Sequence, residues 1–144
     1  MRGQTERVLM VVSWVITLGW TAVLIYLLLK PGSDTTATQP FLSSFFRMEF
    51  SRTDLVEAVA HVGMFGILTL LWQRTLARHC TTRCAILASI VFAGLLGTTT
   101  EVGQFFVARS SLALDLAANY TGIGLSMVFL VLLRPLSERQ ETTG

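Results

Sequence analysis

Residues 8–29 read VLMVVSWVITLGWTAVLIYLLL, a stretch between Arg7 and Lys30 without one charged side chain. Wound as an α-helix at 1.5 Å per residue it extends about 33 Å, enough to cross the roughly 30 Å of hydrocarbon in a bilayer. Three more charge-free stretches follow, from Glu57 to Arg74, from Arg83 to Glu101 and from Asp115 to Arg134. Each is close to the ~20 residues that a membrane-crossing helix needs. The pattern predicts an all-α membrane protein of four transmembrane helices in a compact bundle, at about 8–29, 55–73, 84–101 and 115–133.

The whole composition agrees with this reading. Of 144 residues 52% are apolar and only 14% charged, against about 25% charged in a soluble domain. Four spans of ~20 residues leave no room for a second globular unit. The expectation is one transmembrane domain over residues 1–136 and a polar, disordered tail over 137–144. The net charge of +2 comes from eleven bases scattered among the loops. No basic stripe is present for nucleic acid, so that class of partner is set aside. The first apolar run is about twice the length of a secretory signal core and lacks a small-x-small site before Lys30, so it is expected to stay attached. Trp14, Trp20 and Tyr26 along it are read as residues of the lipid headgroup level.

Orientation follows from the bases in alternate loops, because Lys and Arg are retained on the cytoplasmic side. Arg2, Arg7, Arg74, Arg78, Arg83, Arg134 and Arg139 fall on one side, and Lys30, Arg47, Arg52 and Arg109 on the other. Seven against four places both termini in the cytoplasm of a multi-pass inner-membrane protein. The first outer segment, 31–53, opens with Pro31-Gly32-Ser33-Asp34 and then carries Phe41, Leu42, Phe45, Phe46 and Phe50. Those rings fall on one side of a short helix lying in the interface; a loop packed on the bundle accounts for them equally well.

The polar residues within the spans fall into stripes. Asp54, Glu57 and His61 are spaced i, i+3 and i+7 on the second helix. Gly94, Gly97, Glu101 and Gln104 follow i, i+3, i+7 and i+10 on the third, and Asp115, Asn119, Gly122 and Ser126 follow i, i+4, i+7 and i+11 on the fourth. Each set lies along one helical face, and under the expected topology all three lie toward the outer end. Glycines allow close helix approach. An ionisable group inside a membrane helix costs roughly 2.5 to 3.5 kcal/mol at mid-depth, so it normally faces a partner or a water-filled site. Arg109, the one base of the third loop, is suited to pair with Glu101 or Asp115, or to grip a ligand phosphate through two bonds. Taken singly, Asp115 also reads as a helix cap and His61 as a hydrogen-bonded packing residue. As a set, Glu57, His61, Glu101, Gln104, Arg109, Asp115 and Asn119 form the candidate polar pocket.

The run Glu101-x2-Gln104-x4-Arg109-x5-Asp115-x3-Asn119-x2-Gly122 resembles the signature of the VanZ-like family, small bacterial membrane proteins named for a component of glycopeptide resistance. His61-x3-Phe65 is similar to a histidine-aromatic element that the family carries on an earlier helix. The likeness spans residues 57–126. It differs at Glu57, where the family commonly has Asp, and at Ser126, where it has Gly. The resemblance implies a multi-helix protein of the bacterial inner membrane and, in the named member, lowered sensitivity to teicoplanin; it implies no defined reaction.

His79, Cys80 and Cys84 offer three soft ligands without a visible fourth, in a loop expected to face the reducing cytoplasm. No metal and no cofactor are expected. Nucleophile elbows, phosphate-binding glycine loops and zinc-protease motifs are missing from the sequence. Three functions stay open. In the first, the pocket binds a membrane lipid or lipid-linked envelope precursor, with Arg109 taking phosphate or carboxylate and Gln104 and Asn119 serving as donors and acceptors. In the second, an intramembrane enzyme uses Glu101 or Asp115 as base, His61 as its acid-base partner and Arg109 as anion stabiliser. The third is a small proton-coupled drug transporter, disfavoured because its carboxylates belong near mid-membrane. A homo-oligomer is compatible with any of the three.

Overall fold

The computed structural model of the chain describes residues 2–30, 52–106 and 113–141. Among them every element is helical: α1 Arg2–Leu29, α2 Arg52–Leu76, α3 Thr82–Phe106 and α4 Ala113–Glu141. Each contains a segment long and apolar enough to cross a membrane: Gln4–Leu29, Asp54–Leu76, Thr82–Gln104 and Ala113–Leu132. Helices are the natural form here, because hydrocarbon offers no partner to an unpaired peptide group and a helix pairs its own. Many large apolar side chains point outward, with Val15 64%, Val59 73% and Leu132 67% exposed. Against water such surfaces would be an aggregation hazard; against lipid tails they cost nothing. These are the features of a multi-pass membrane protein.

Local signals set the helix ends. Asp54 and Asp115 lie in the first turns of α2 and α4, and Arg74 in the last turn of α2, each placed to complement the helix dipole. Between α2 and α3 the chain reverses in a tight turn, held by Arg78 N–H to Thr75 O and by His79 and Cys80 N–H to Leu76 O. Thr81 caps α3, its hydroxyl accepting from Cys84 N–H at 3.4 Å. Lys30 precedes Pro31, and a residue before proline is pushed out of helical geometry, which ends α1.

All four helices exceed the expected bounds. Hydropathy marks only the part in hydrocarbon, whereas the backbone bonds propagate outward through any good helix former. The clearest difference is α4, which runs on through Pro135 to Glu141 where a disordered tail was expected from Ser137. The stretch with Phe41, Leu42, Phe45, Phe46 and Phe50, proposed as an interfacial helix, lies outside the described residues.

Helix α2 is central. Its most extensive contact is with α4, and it also packs on α3 and α1. The pairing of residues gives the directions. His61 meets Asn119 and Gly66 meets Gly122, so α2 and α4 run parallel. Trp72 meets Phe92 and His61 meets Glu101, so α2 and α3 run antiparallel. Thr17 of α1 meets Thr75 of α2 and Trp20 meets Met64, again antiparallel. One end of the molecule therefore gathers the start of α2, the end of α3 and the start of α4.

Two kinds of contact hold the helices together. A small apolar cluster joins all four through Leu24, Leu28, Phe65, Leu68, Ala93 and Ile123. Glycine permits the closest approach: a Cβ at Gly122 would stand 2.3 Å from the Val62 carbonyl oxygen and 3.0 Å from Gly66 N. The α2–α4 crossing is backbone against backbone, the packing that small residues make in membranes. Trp14 and Trp20 each take a hydrogen-bond partner outside α1. Trp20 donates its indole N–H to Met64 O and packs on the apolar cluster, while Trp14 donates to His79 Nε2. Both are half-buried. Tyr26 is 65% exposed, as a lipid-facing residue would be.

Candidate functional site

Among the described residues, many large apolar side chains face outward while several polar ones are buried. Among the described residues the buried set includes His61, Glu101, Gln104, Asp115 and Asn119, all between 0% and 3% exposed. They come from three helices and lie at the end where α2 and α4 begin and α3 finishes. Counting 1.5 Å per residue from the start of its span, His61 sits about 10 Å inside.

His61, Asn119 and Glu101 form a connected group. His61 Nδ1 lies 2.8 Å from Asn119 Oδ1, Asn119 Nδ2 donates to Glu101 Oε1 at 3.3 Å, and His61 Nδ1 is 3.7 Å from the same Glu101 oxygen. The carboxylate fixes the amide. A carboxylate oxygen only accepts, so Asn119 must present its NH2 to Glu101 and its oxygen to His61. That oxygen in turn requires a proton on Nδ1, which leaves Nε2 as the nitrogen that gains or loses a proton. Asn119 thus sets the tautomer of His61 and holds Glu101 in one orientation.

Packing keeps the group in place. Phe65, 0% exposed, lies one turn below His61 with its ring stacked at 24° and 6.4 Å between centroids. A Cβ at Gly97 would lie 3.1 Å from Phe65 Cε1 and 3.3 Å from Asn119 Nδ2. Gly97 therefore leaves room for the Phe65 ring and for the Asn119 amide that bonds Glu101. Phe65 also belongs to the apolar cluster, so it separates the polar end from the dry centre.

Gln104 stands one turn beyond Glu101 on the same face of α3. It is 1% exposed, and neither its Oε1 nor its Nε2 finds a hydrogen-bond partner among the described residues. A buried amide left so costs on the order of 1 to 3 kcal/mol. Asp115, 2% exposed, opens α4 at the same end.

The seven expected pocket residues separate into groups. His61, Glu101, Gln104, Asp115 and Asn119 share burial and one end of the molecule. Glu57 is exposed, although its i, i+4 spacing puts it on nearly the same face as His61; helical spacing fixes a direction but not what stands opposite. Arg109 lies outside the described residues. Ser126, buried at the inner end of the α4 stripe, donates to Ile123 O of its own helix at 2.6 Å and takes no part in the cluster.

A second polar feature was legible in the sequence but not read there. Ser13, Thr17 and Thr21 repeat at i, i+4 and i+8 on α1, a hydroxyl stripe facing α2. Thr75 Oγ1 lies 2.7 Å from Ser13 Oγ and 2.8 Å from Thr17 Oγ1, and Trp72 Nε1 donates to Thr21 Oγ1 at 3.1 Å. Among the described residues no group of three His, Cys, Asp or Glu side chains is arranged to hold a metal ion. His79 Nε2 accepts from Trp14, and Cys80 Sγ reaches Leu76 O. The Cys80 thiol is pushed above the ordinary thiol range, first by its hydrogen bond with Cys84 and then by desolvation.

No protein-family model, no curated protein and no solved structure matches this chain. The resemblance to the VanZ-like family accordingly stands on the quoted residues alone.

Proposed function

We propose that this is a VanZ-like membrane protein whose polar end opens toward the outer leaflet and binds the head group of a membrane lipid or lipid-linked envelope precursor. The observation that carries the reading is the buried Gln104 carboxamide beside the His61–Asn119–Glu101 group. A donor and an acceptor withdrawn from water at a cost are what a site offers to a sugar or peptide that brings the complementary groups. Arg109, which falls in the sequence between α3 and α4, is assigned the phosphate or carboxylate of the same ligand. Occupation of such a site would alter how a lipophilic glycopeptide such as teicoplanin meets its lipid-bound target.

A second reading is favoured by one distance. With 3.7 Å between His61 Nδ1 and Glu101 Oε1, an ionised Glu101 supports a protonated His61, and the pair is equipped to move a proton to or from a bound lipid. One substitution separates the readings. Glu101→Gln keeps the shape and the hydrogen-bonding reach of the side chain but removes the charge. Under binding alone, glycopeptide protection in cells falls only partly; under acid-base chemistry, where such a group supplies roughly 10²–10⁴ of the rate, protection is lost, with protein levels in the membrane unchanged. If Glu101→Gln, Asp115→Asn and Arg109→Ala all protect like wild type, the polar end is structural and both readings are lost.

A further inference from the structure

At the other end of the molecule, on the face shared by α1 and α2, lies a groove of about 310 Å³. Its apolar lining is made by Leu9, Val12 and Ile16 of α1 and Leu71 of α2, and Arg74 of α2 and Arg78 of the turn that follows border it. Ser13 also borders it, but its hydroxyl is already engaged with Thr75. The apolar lining therefore makes no polar demand on whatever lies there. The two arginines are i, i+4, and both are exposed. Arg78 belongs to the turn whose backbone is pinned to Thr75 O, so the distance between the two guanidinium stems is held by hydrogen-bonded chain. No carboxylate lines the groove, and among the described residues neither arginine takes part in an ion pair.

From this we infer a second binding site, for one anionic phospholipid: an acyl chain lies along Leu9, Val12, Ile16 and Leu71 while Arg74 and Arg78 share its phosphate. Charge complementarity selects the occupant. Two uncompensated positive groups at the end of a helix span lie at the depth of lipid phosphates, and a guanidinium fork matches phosphate oxygens through paired bonds. Basic recesses between membrane helices hold anionic head groups by this chemistry. The volume is at the low end for a ligand site, which suits part of one chain with the second chain left in the bilayer. A soluble anion would satisfy the arginines but leave the apolar lining unused.

The test is native mass spectrometry of the purified full chain mixed with dioleoyl phosphatidylglycerol or dioleoyl phosphatidylcholine. Wild type is expected to retain one phosphatidylglycerol and no phosphatidylcholine. Arg74→Gln combined with Arg78→Gln should weaken retention roughly thirtyfold, the effect of two charges at about 1 kcal/mol each. Arg83→Gln, an exposed arginine of the same end that does not line the groove, should bind as wild type. Should the double variant fail to fold, Ile16→Trp decides the question, because Ile16 is 52% exposed and the larger ring fills the groove with both arginines intact. Retention by either variant at wild-type strength, or an equal loss in Arg83→Gln, overturns the proposal. Displacement of the lipid by inorganic phosphate would also overturn it, by showing a plain anion site.

Discussion

Gly122 and Gly103 show how much one missing methyl group can matter. A Cβ on Gly122 would meet the Val62 carbonyl oxygen at 2.3 Å, an atom of a helix backbone that can move only with its whole helix. A Cβ on Gly103 would meet Leu29 Cδ2 at 2.8 Å, the far end of a flexible side chain. Gly122→Ala is therefore expected to destabilise by about 3 kcal/mol or more, at the upper end of overpacking, and Gly103→Ala by less than about 1 kcal/mol. Unfolding free energies in detergent micelles check the pair. Similar losses at the two sites would mean that α2 and α4 do not cross at Gly66 and Gly122. Gly97 lies between these extremes, since its neighbours are the Phe65 ring and the Asn119 amide. There the glycine serves the polar group, because it leaves Asn119 room to bond both His61 and Glu101.

Between helices, hydroxyls and indoles carry contacts that apolar side chains carry in soluble proteins. Lipid tails are as apolar as leucine, so burying leucine gives helices little reason to associate. The α1–α2 seam of Ser13, Thr17, Thr21, Trp72 and Thr75 is the response. Elsewhere the hydroxyls turn back on their own helix: Thr98, Thr99 and Thr100 of α3 donate to Gly94 O, Leu95 O and Leu96 O. That satisfies Thr99 and Thr100 within the helix, while the Thr98 hydroxyl also meets Tyr120 Oη of α4 at 3.0 Å. A double-mutant cycle of Thr17→Val and Thr75→Val should return a coupling near 0.6 kcal/mol and below about 1.7 kcal/mol, the range of such bonds within membranes. Zero coupling would mean that the seam contributes shape and no bond. The stripe was readable from the i, i+4, i+8 spacing, whereas its partner on α2 was not. Thr75 belongs to no polar stripe, and only the antiparallel docking of α1 on α2 brings it opposite Thr17.

At the scale of the whole molecule, two chemically different ends are separated by an apolar centre. One end holds His61, Glu101, Gln104, Asp115 and Asn119; the other holds Arg74, Arg78, Arg83 and the cysteine turn. The proposed orientation puts the arginine end in the cytoplasm. A membrane-impermeant maleimide should then leave Cys84, which is exposed, unmodified in intact spheroplasts and modify it after permeabilisation. Labelling of intact cells would invert the topology and move the polar pocket to the inner leaflet. The same reagent tests the thiol pair. Because the hydrogen bond with Cys84 raises Cys80, less Cys80 is thiolate at a given pH near 8, and its reaction lags an ordinary thiol and catches up as pH rises. Cys84→Ala removes the chief cause, so Cys80 should then react faster at pH 8. No acceleration would show that the two sulfurs do not interact.

Charge-free stretches determined four helices and their order before any coordinates, because the hydrocarbon thickness sets the length of every span and a helix alone satisfies its own backbone there. The polar stripes of α3 and α4 were equally plain, since the helical repeat obliges Glu101 and Gln104, or Asp115 and Asn119, to share a face. Which stripes meet was a matter for tertiary structure. Only the close α2–α4 crossing at Gly122 brings His61 to Asn119 at 2.8 Å and, through it, to Glu101. The same docking left Glu57 exposed and brought Trp14 to His79 and Trp20 to the Met64 carbonyl. A repeat of 3.6 residues states where a side chain points; what it points at depends on the rotation and depth of neighbouring helices, which close packing between distant segments decides.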